Sequence, residues 1–245
     1  MSLLVNNTPF LKGVCLMVSF IKASHFLNQP TLFFIPLKTP CWRNSSKRIW
    51  LFLDPLMPDE TRTVRLEIKQ GTTWKEISRV QITYPGWSAH FRIKNWDSSK
   101  DIPYRVRHGK RASFNGTIRK DPTDQETIVV GNLSCNSSRT KGPRPQIIEN
   151  LKLLDPDVLF FAGDQTYHHT EHTAGWLEFG LQFRELMKDR PTITIPDDHD
   201  VGQANLWGES GIQATSPEGN SGGYFYPIPY VNMVQRQQTW HLPDP

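Results

Sequence analysis

The feature that most restricts the fold of this chain is a change of hydrophobic period at Asp121-Pro122. Upstream the period is two. Val64, Leu66 and Ile68 alternate with Arg65 and Glu67, and Trp87, Ala89, Phe91 and Ile93 alternate with Ser88, His90 and Arg92. Side chains of a strand point to alternate faces, so each run buries one face and wets the other. Further short strands are expected at Ile49–Leu53, Glu76–Ile82, Pro103–Val106 and Phe114–Ile118, separated by turn signals such as Gln70-Gly71, Pro85-Gly86 and Asn115-Gly116. Such spacing without helical pattern reads as a small all-β sandwich of immunoglobulin or fibronectin type over residues 49–122.

Downstream, compact apolar runs alternate with helical stripes. Thr127–Val130, Asp157–Phe161 and Thr192–Ile195 read as strands. Between them, Ile147, Ile148, Leu151 and Leu154 share one helix face behind Pro145, and Trp176, Phe179, Phe183 and Leu186 share another. Strand–helix–strand–helix–strand, with nearly continuous apolar strands, predicts an α/β unit whose parallel sheet is covered on both faces.

Composition excludes several alternatives. Hydrophobic residues make up 37% of the 245 positions and charged residues 21%, so a core can form. No apolar run approaches the ~18 residues of a membrane-spanning helix. Three cysteines, Cys15, Cys41 and Cys135, cannot staple a disulfide scaffold. The net charge of +4 is small and its basic residues are scattered, which argues against a nucleic-acid footprint. Residues 1–48 read as an unstructured leader. Lys12, the apolar stretch to Ile21 and Ala23-Ser24 match a secretory signal only in part.

Ligands of an open parallel sheet bind outside the carboxyl ends of its strands. The segments there are Gly131–Asn136, Gly163–His168 and Pro196–Asp200. They offer a thiol (Cys135), a carboxylate (Asp164), a phenol (Tyr167) and the run Asp197-Asp198-His199-Asp200. Three aspartates around one histidine repel one another unless a cation or proton sits among them. The mixed S, N and O donors suit iron or zinc at one extreme and calcium, manganese or magnesium at the other. His168, His169 and His172 read mainly as loop or helix-start residues, with His168 placed to line the site.

The stretch Phe161-Ala162-Gly163-Asp164-Gln165-Thr166-Tyr167, the stretch Pro191–Val201 with its Asp197-Asp198-His199-Asp200, and Asn205-Leu206-Trp207-Gly208 resemble the PhoD-like alkaline phosphatase family, part of the calcineurin-like metallophosphoesterase superfamily. The resemblance runs from about Ile49 to Pro245. It implies an αββα catalytic domain behind a small β-sandwich, and hydrolysis of phosphate esters by metal-activated hydroxide. By that resemblance Cys135 binds iron, Asp164 bridges two metals, Tyr167 is a further ligand, and Asp198 binds metal and helps hold the substrate phosphate. His199 serves as proton donor beside a carboxylate, with Asp197 and Asp200 orienting the group. Iron and calcium are the expected ions, with zinc, manganese or magnesium as substitutes. The expected partner is a small phosphate ester, with nucleic acid only as a diester substrate, and the family suggests a location outside the cytoplasm.

The superfamily's Asp-x-His first motif is replaced by Ser134-Cys135-Asn136, and His241 is the one histidine after His199. On this reading residues 123–245 are a partial metallophosphatase domain, incomplete in its sheet and holding about half of the site. The alternative is an inactive remnant that acts only as a β-sandwich binding module. The expectation for the chain as given is inactivity.

Overall fold

The computed structural model describes residues 15–22, 46–52, 56, 58–110, 112–137, 144–208, 211–219 and 221–239. Most of the expected leader, Cys41 and His241 lie outside these. Among these residues ten strands, three α-helices and one short 3-10 turn (His199–Val201) are found; the strands and α-helices follow in chain order: β1 (Cys15–Lys22), β2 (Ser46–Phe52), β3 (Thr63–Gln70), β4 (Thr73–Gln81), β5 (Ser88–Lys94), β6 (Ile102–His108), β7 (Ala112–Ile118), β8 (Thr127–Ser134), α1 (Arg144–Leu154), β9 (Val158–Ala162), α2 (His172–Met187), β10 (Thr192–Ile195) and α3 (Ile228–Gln238).

The period-two region forms two antiparallel ladders, one ordered β4-β3-β6-β7 and the other β2-β5. Val64 and Leu66 of β3, Tyr104 and Val106 of β6, Ile118 of β7 and Ala89 and Phe91 of β5 are buried in one apolar cluster. The two ladders therefore share a core, each giving it the apolar face that its alternation supplies.

The second part is a sheet ordered β1-β8-β9-β10. β8, β9 and β10 are parallel, and β1 is an antiparallel edge strand beside β8. β1 falls inside the stretch that the sequence reads as leader.

The helices depart from the expected arrangement. α1 and α2 pack on one face of the sheet, not on two. Ile147 and Leu151 of α1 and Trp176, Phe179, Phe183 and Leu186 of α2 are buried in one cluster with Leu133, Leu159 and Phe161 of the strands. The cause is topological. With strands ordered β8-β9-β10 the chain advances in one direction, and two right-handed crossovers in one direction fall on the same side. Phe161 meets Phe179 edge-on at 4.8 Å and 89°. Each fully buried aromatic contributes about 1.5–3 kcal/mol. The opposite face carries a smaller cluster of Ile128, Val130 and Val158, with Phe160 and Ile193 partly buried against it.

The two parts are joined by specific bonds. The Tyr104 hydroxyl donates to the Lys188 carbonyl at 3.0 Å, and the Thr117 amide donates to Asp189 Oδ1 at 2.7 Å. Gly116 has no room for a Cβ, because Lys188 O and the Tyr104 ring stand against it. α3 adds a third tie, with Gln237 Nε2 donating to Gly86 O at 3.0 Å. This helix occupies a stretch with no predicted element. Among the described residues no helix is long and apolar enough to cross a membrane.

Candidate metal centre

Strand register sets the site. Leu133 of β8 pairs with Phe161 of β9, and Ala162 of β9 pairs with Ile195 of β10. Two residues further along, Cys135 comes level with Gly163, and Asp197 with Asp164. The pairing persists past the strand ends, as Cys135 N donates to Gly163 O at 3.2 Å and Asn136 N to Asp164 O at 2.8 Å. Both exits then break in the same way. Cys135 and Asp164 have φ of 57° and 58°, a left-handed conformation rare for residues other than glycine. Such strain, of order 1–3 kcal/mol per residue, persists only where surrounding bonds enforce it.

At Asp164 one buried carboxylate does that enforcing. Asp200 is fully buried. Its Oδ2 accepts the amides of Asp164 (2.7 Å) and Asp197 (3.0 Å), and its Oδ1 accepts that of Thr166 (3.1 Å). The loops after β9 and β10 are thereby tied to one side chain. Burial pushes the Asp200 carboxyl up to about 7, against the pull of its hydrogen bonds. Gly163 makes the close approach possible. Its φ is +92°, and a Cβ there would lie 2.5 Å from Asp197 Cβ.

Above this base Asp164, Asp198 and His199 each offer a ligand atom, all within 4.8 Å of one another. Ligand atoms on opposite sides of one ion lie about 4–5 Å apart at bond lengths near 2.0–2.5 Å, so a single ion can bridge this set. Tyr167 Oη donates to Asp164 Oδ2 at 3.0 Å, while Asp164 Oδ1 is buried with no hydrogen-bond partner. A buried carboxylate oxygen without a donor is costly, and a cation would satisfy it. Burial, foremost, raises the Asp164 carboxyl, and Asp198 and Asp197 add to the rise; the Tyr167 bond and His199 oppose it. Burial likewise raises the Tyr167 phenol, helped by Asp164 and by the Cys135 side chain that its hydroxyl also meets. These residues fit a metal ion by donor chemistry as well as by distance.

The five residues singled out in the sequence thus divide. Asp164, Asp198 and His199 form the three-membered group, Tyr167 is bonded to Asp164, and Cys135 lies alongside Tyr167 but outside that group. Cys135 Sγ is 3.2 Å from Ser134 Oγ. The histidines after Tyr167 go separate ways. His168 Nε2 faces Glu178 Oε2 at 3.0 Å. His172 is buried at the start of α2 against Trp176, its ring pushed down to about 3 by burial. His169, a loop residue by sequence, is the one that meets the site, with Nε2 2.7 Å from His199 Nδ1. Its neighbour in sequence, His168, carries the same residue type, so nothing in the pattern distinguishes the two.

The chain is similar to the solved structure of PhoD, with a TM-score of 0.53 and 14% identity over 88% of this chain and 43% of that one. A second similar structure is the purple acid phosphatase PPD1 from yellow lupin (Lupinus luteus) seeds, with a TM-score of 0.45 and 14% identity over 85% of this chain and 39% of that one. The chain spans less than half the length of either. The fold follows, in its main lines, the part of the PhoD structure that the chain covers. No family model matches the chain, and no curated protein matches it.

Proposed function

We propose that this chain carries a metal-dependent phosphoester hydrolase centre of PhoD-like type, built into an αββα domain behind an immunoglobulin- or fibronectin-like sandwich. The observation that carries the reading is Asp164 Oδ1, buried without a partner beside Asp198 and His199. Asp164, Asp198 and His199 hold one ion, and Tyr167 and Cys135 extend the donor set toward a second. Thiol and phenol favour iron, and the carboxylates suit calcium or another hard divalent ion. When bound, the ions neutralise phosphate oxygens and polarise water. The chain's own groups do the rest. Asp200 holds the loop amides and so fixes the spacing of the donors. The Tyr167 ring, 4.0 Å from that of His199, confines the imidazole from one face. On this reading His199 serves the ion as its nitrogen ligand and not as the proton donor that the family resemblance implies, because Nδ1 is taken by His169 and a ligating nitrogen has no proton to give. The substrate is a small phosphate ester.

The test is to titrate the purified chain with manganese or ferric ion by calorimetry and to assay p-nitrophenyl phosphate and its bis ester. Stoichiometric binding that Asp164→Asn weakens by ~100-fold or more supports the reading. Ferric ion on a phenolate should also add a visible absorption band that Tyr167→Phe removes. Ion binding unaffected by Asp164→Asn, or no binding by the native chain, overturns the reading.

A further inference from the structure

His199 is fixed on three sides. Its backbone amide donates to Asp198 Oδ1 at 2.9 Å, Tyr167 lies across its ring, and His169 meets its edge. The two imidazoles are 5.0 Å apart between centroids and inclined by 26°, so the 2.7 Å contact between His169 Nε2 and His199 Nδ1 is an edge-to-edge hydrogen bond between nearly coplanar rings. His169 is itself held. Tyr230 of α3 donates its hydroxyl to the His169 carbonyl at 2.5 Å, and Gly202 leaves room for that carbonyl, since a Cβ there would come within 2.9 Å of it.

A neutral imidazole has one N–H and one lone pair, so the partner of one nitrogen decides what the other can do. We infer that His169 is a positioning residue, which occupies His199 Nδ1 and so leaves Nε2 as the nitrogen available to an ion shared with Asp164 and Asp198. Its use in catalysis rests on the function proposed above, but the hydrogen bond itself does not. A histidine that ligates metal usually has its second nitrogen bonded to an acceptor that fixes ring orientation, commonly a carboxylate or a carbonyl. Here that place is taken by another imidazole. The bond also links α3 to the site, through Tyr230, without any α3 side chain joining the group of three.

The first measurement needs no mutation. In the 15N-labelled, metal-free chain at a pH where both rings are neutral, a nitrogen–nitrogen coupling across the hydrogen bond is expected between His169 Nε2 and His199 Nδ1. Long-range 1H–15N spectra should show His199 in one dominant tautomer. His169→Ala should scramble that tautomer and weaken zinc or cadmium binding by ~10–100-fold. His169→Gln, whose amide reaches the same point, should restore both. Absence of the coupling together with an unchanged tautomer in His169→Ala overturns the inference. So does direct 113Cd–15N coupling to His169, which would make it a ligand. A coupling found in a chain that binds no metal would sink the functional proposal while leaving the positioning intact. Normal metal binding with no coupling would do the reverse.

Discussion

Replacing Asp200 tests how much of the site is held by one side chain. Asp200→Ala strands three amides, those of Asp164, Thr166 and Asp197, in a place with no solvent access to the residue they served. Each buried donor left without an acceptor costs about 1–3 kcal/mol. Water entering the vacated space and relief of the carboxylate's own burial offset part of that sum, leaving an expected net loss of about 3–5 kcal/mol. Against a total stability of about 5–15 kcal/mol, such a loss is severe. Asp200→Asn separates shape from charge. An asparagine oxygen in the Oδ2 position keeps the Asp164 and Asp197 bonds, and of the three amides Thr166 alone then faces a donor, for about 1–2 kcal/mol. Urea unfolding at pH 7, followed by tryptophan fluorescence with slopes compared between variants, measures both. A loss below about 1 kcal/mol for Asp200→Ala, or equal losses for the two variants, would refute the role given to the three amides.

Two further perturbations have worked outcomes. Gly163→Ala forces a side chain into a left-handed backbone and against Asp197 Cβ, so it should cost about 2–3 kcal/mol and weaken metal binding in the same chain; thermal melts and calorimetry read the two effects. His172 gives an acid limb: its folded value near 3 lies below the ordinary 6.5, so the unfolded chain binds a proton that the folded chain refuses. Stability should therefore be whole above about pH 6.5 and fall by up to ~1.4 kcal/mol per unit as pH drops toward 3. His172→Leu should flatten that slope in urea unfolding between pH 6.5 and 4, and an unchanged slope would show that the ring takes up its proton without cost.

Strand positions were legible because each depends on local alternation. The runs around Val64, Phe91 and Val106 each bury one face, and the elements observed match them within a few residues at either end. α1 and α2 were legible for the same reason at helical period. α3 was not. Its buried face is Val231, Val234, Gln237 and Gln238, half of it polar, so the apolar stripe fails where Gln237 and Gln238 reach Gly86, Gln165 and Thr194. A face that binds by hydrogen bonds leaves no hydrophobic period to read. The placement of both crossover helices on one side depends on strand order, which alternation along a single strand does not encode. In the site, the donor-rich segments stood out because they follow apolar strands. The His169–His199 bond did not, because it depends on how the loop after β9 folds back over the turn after β10. β1 resembles leader in the sequence, since its partner β8 lies more than a hundred residues away and no local signal marks the pairing.

α3 also bears on the order in which a nascent chain can be finished. Its bonds reach back 151 residues to Gly86, 73 to Gln165, 61 to His169 and 44 to Thr194. On a ribosome that adds roughly 5–20 residues per second, the β-rich part and β8 to β10 emerge well before their last partners do. Until residues 228–238 clear the exit tunnel, the His169 carbonyl has no Tyr230 and the Gln165 side chain has no Gln238. The end of the sheet that bears the candidate metal site is therefore the part of the described fold that sets last during synthesis, and a cation arriving early would meet loops still waiting for their clamp.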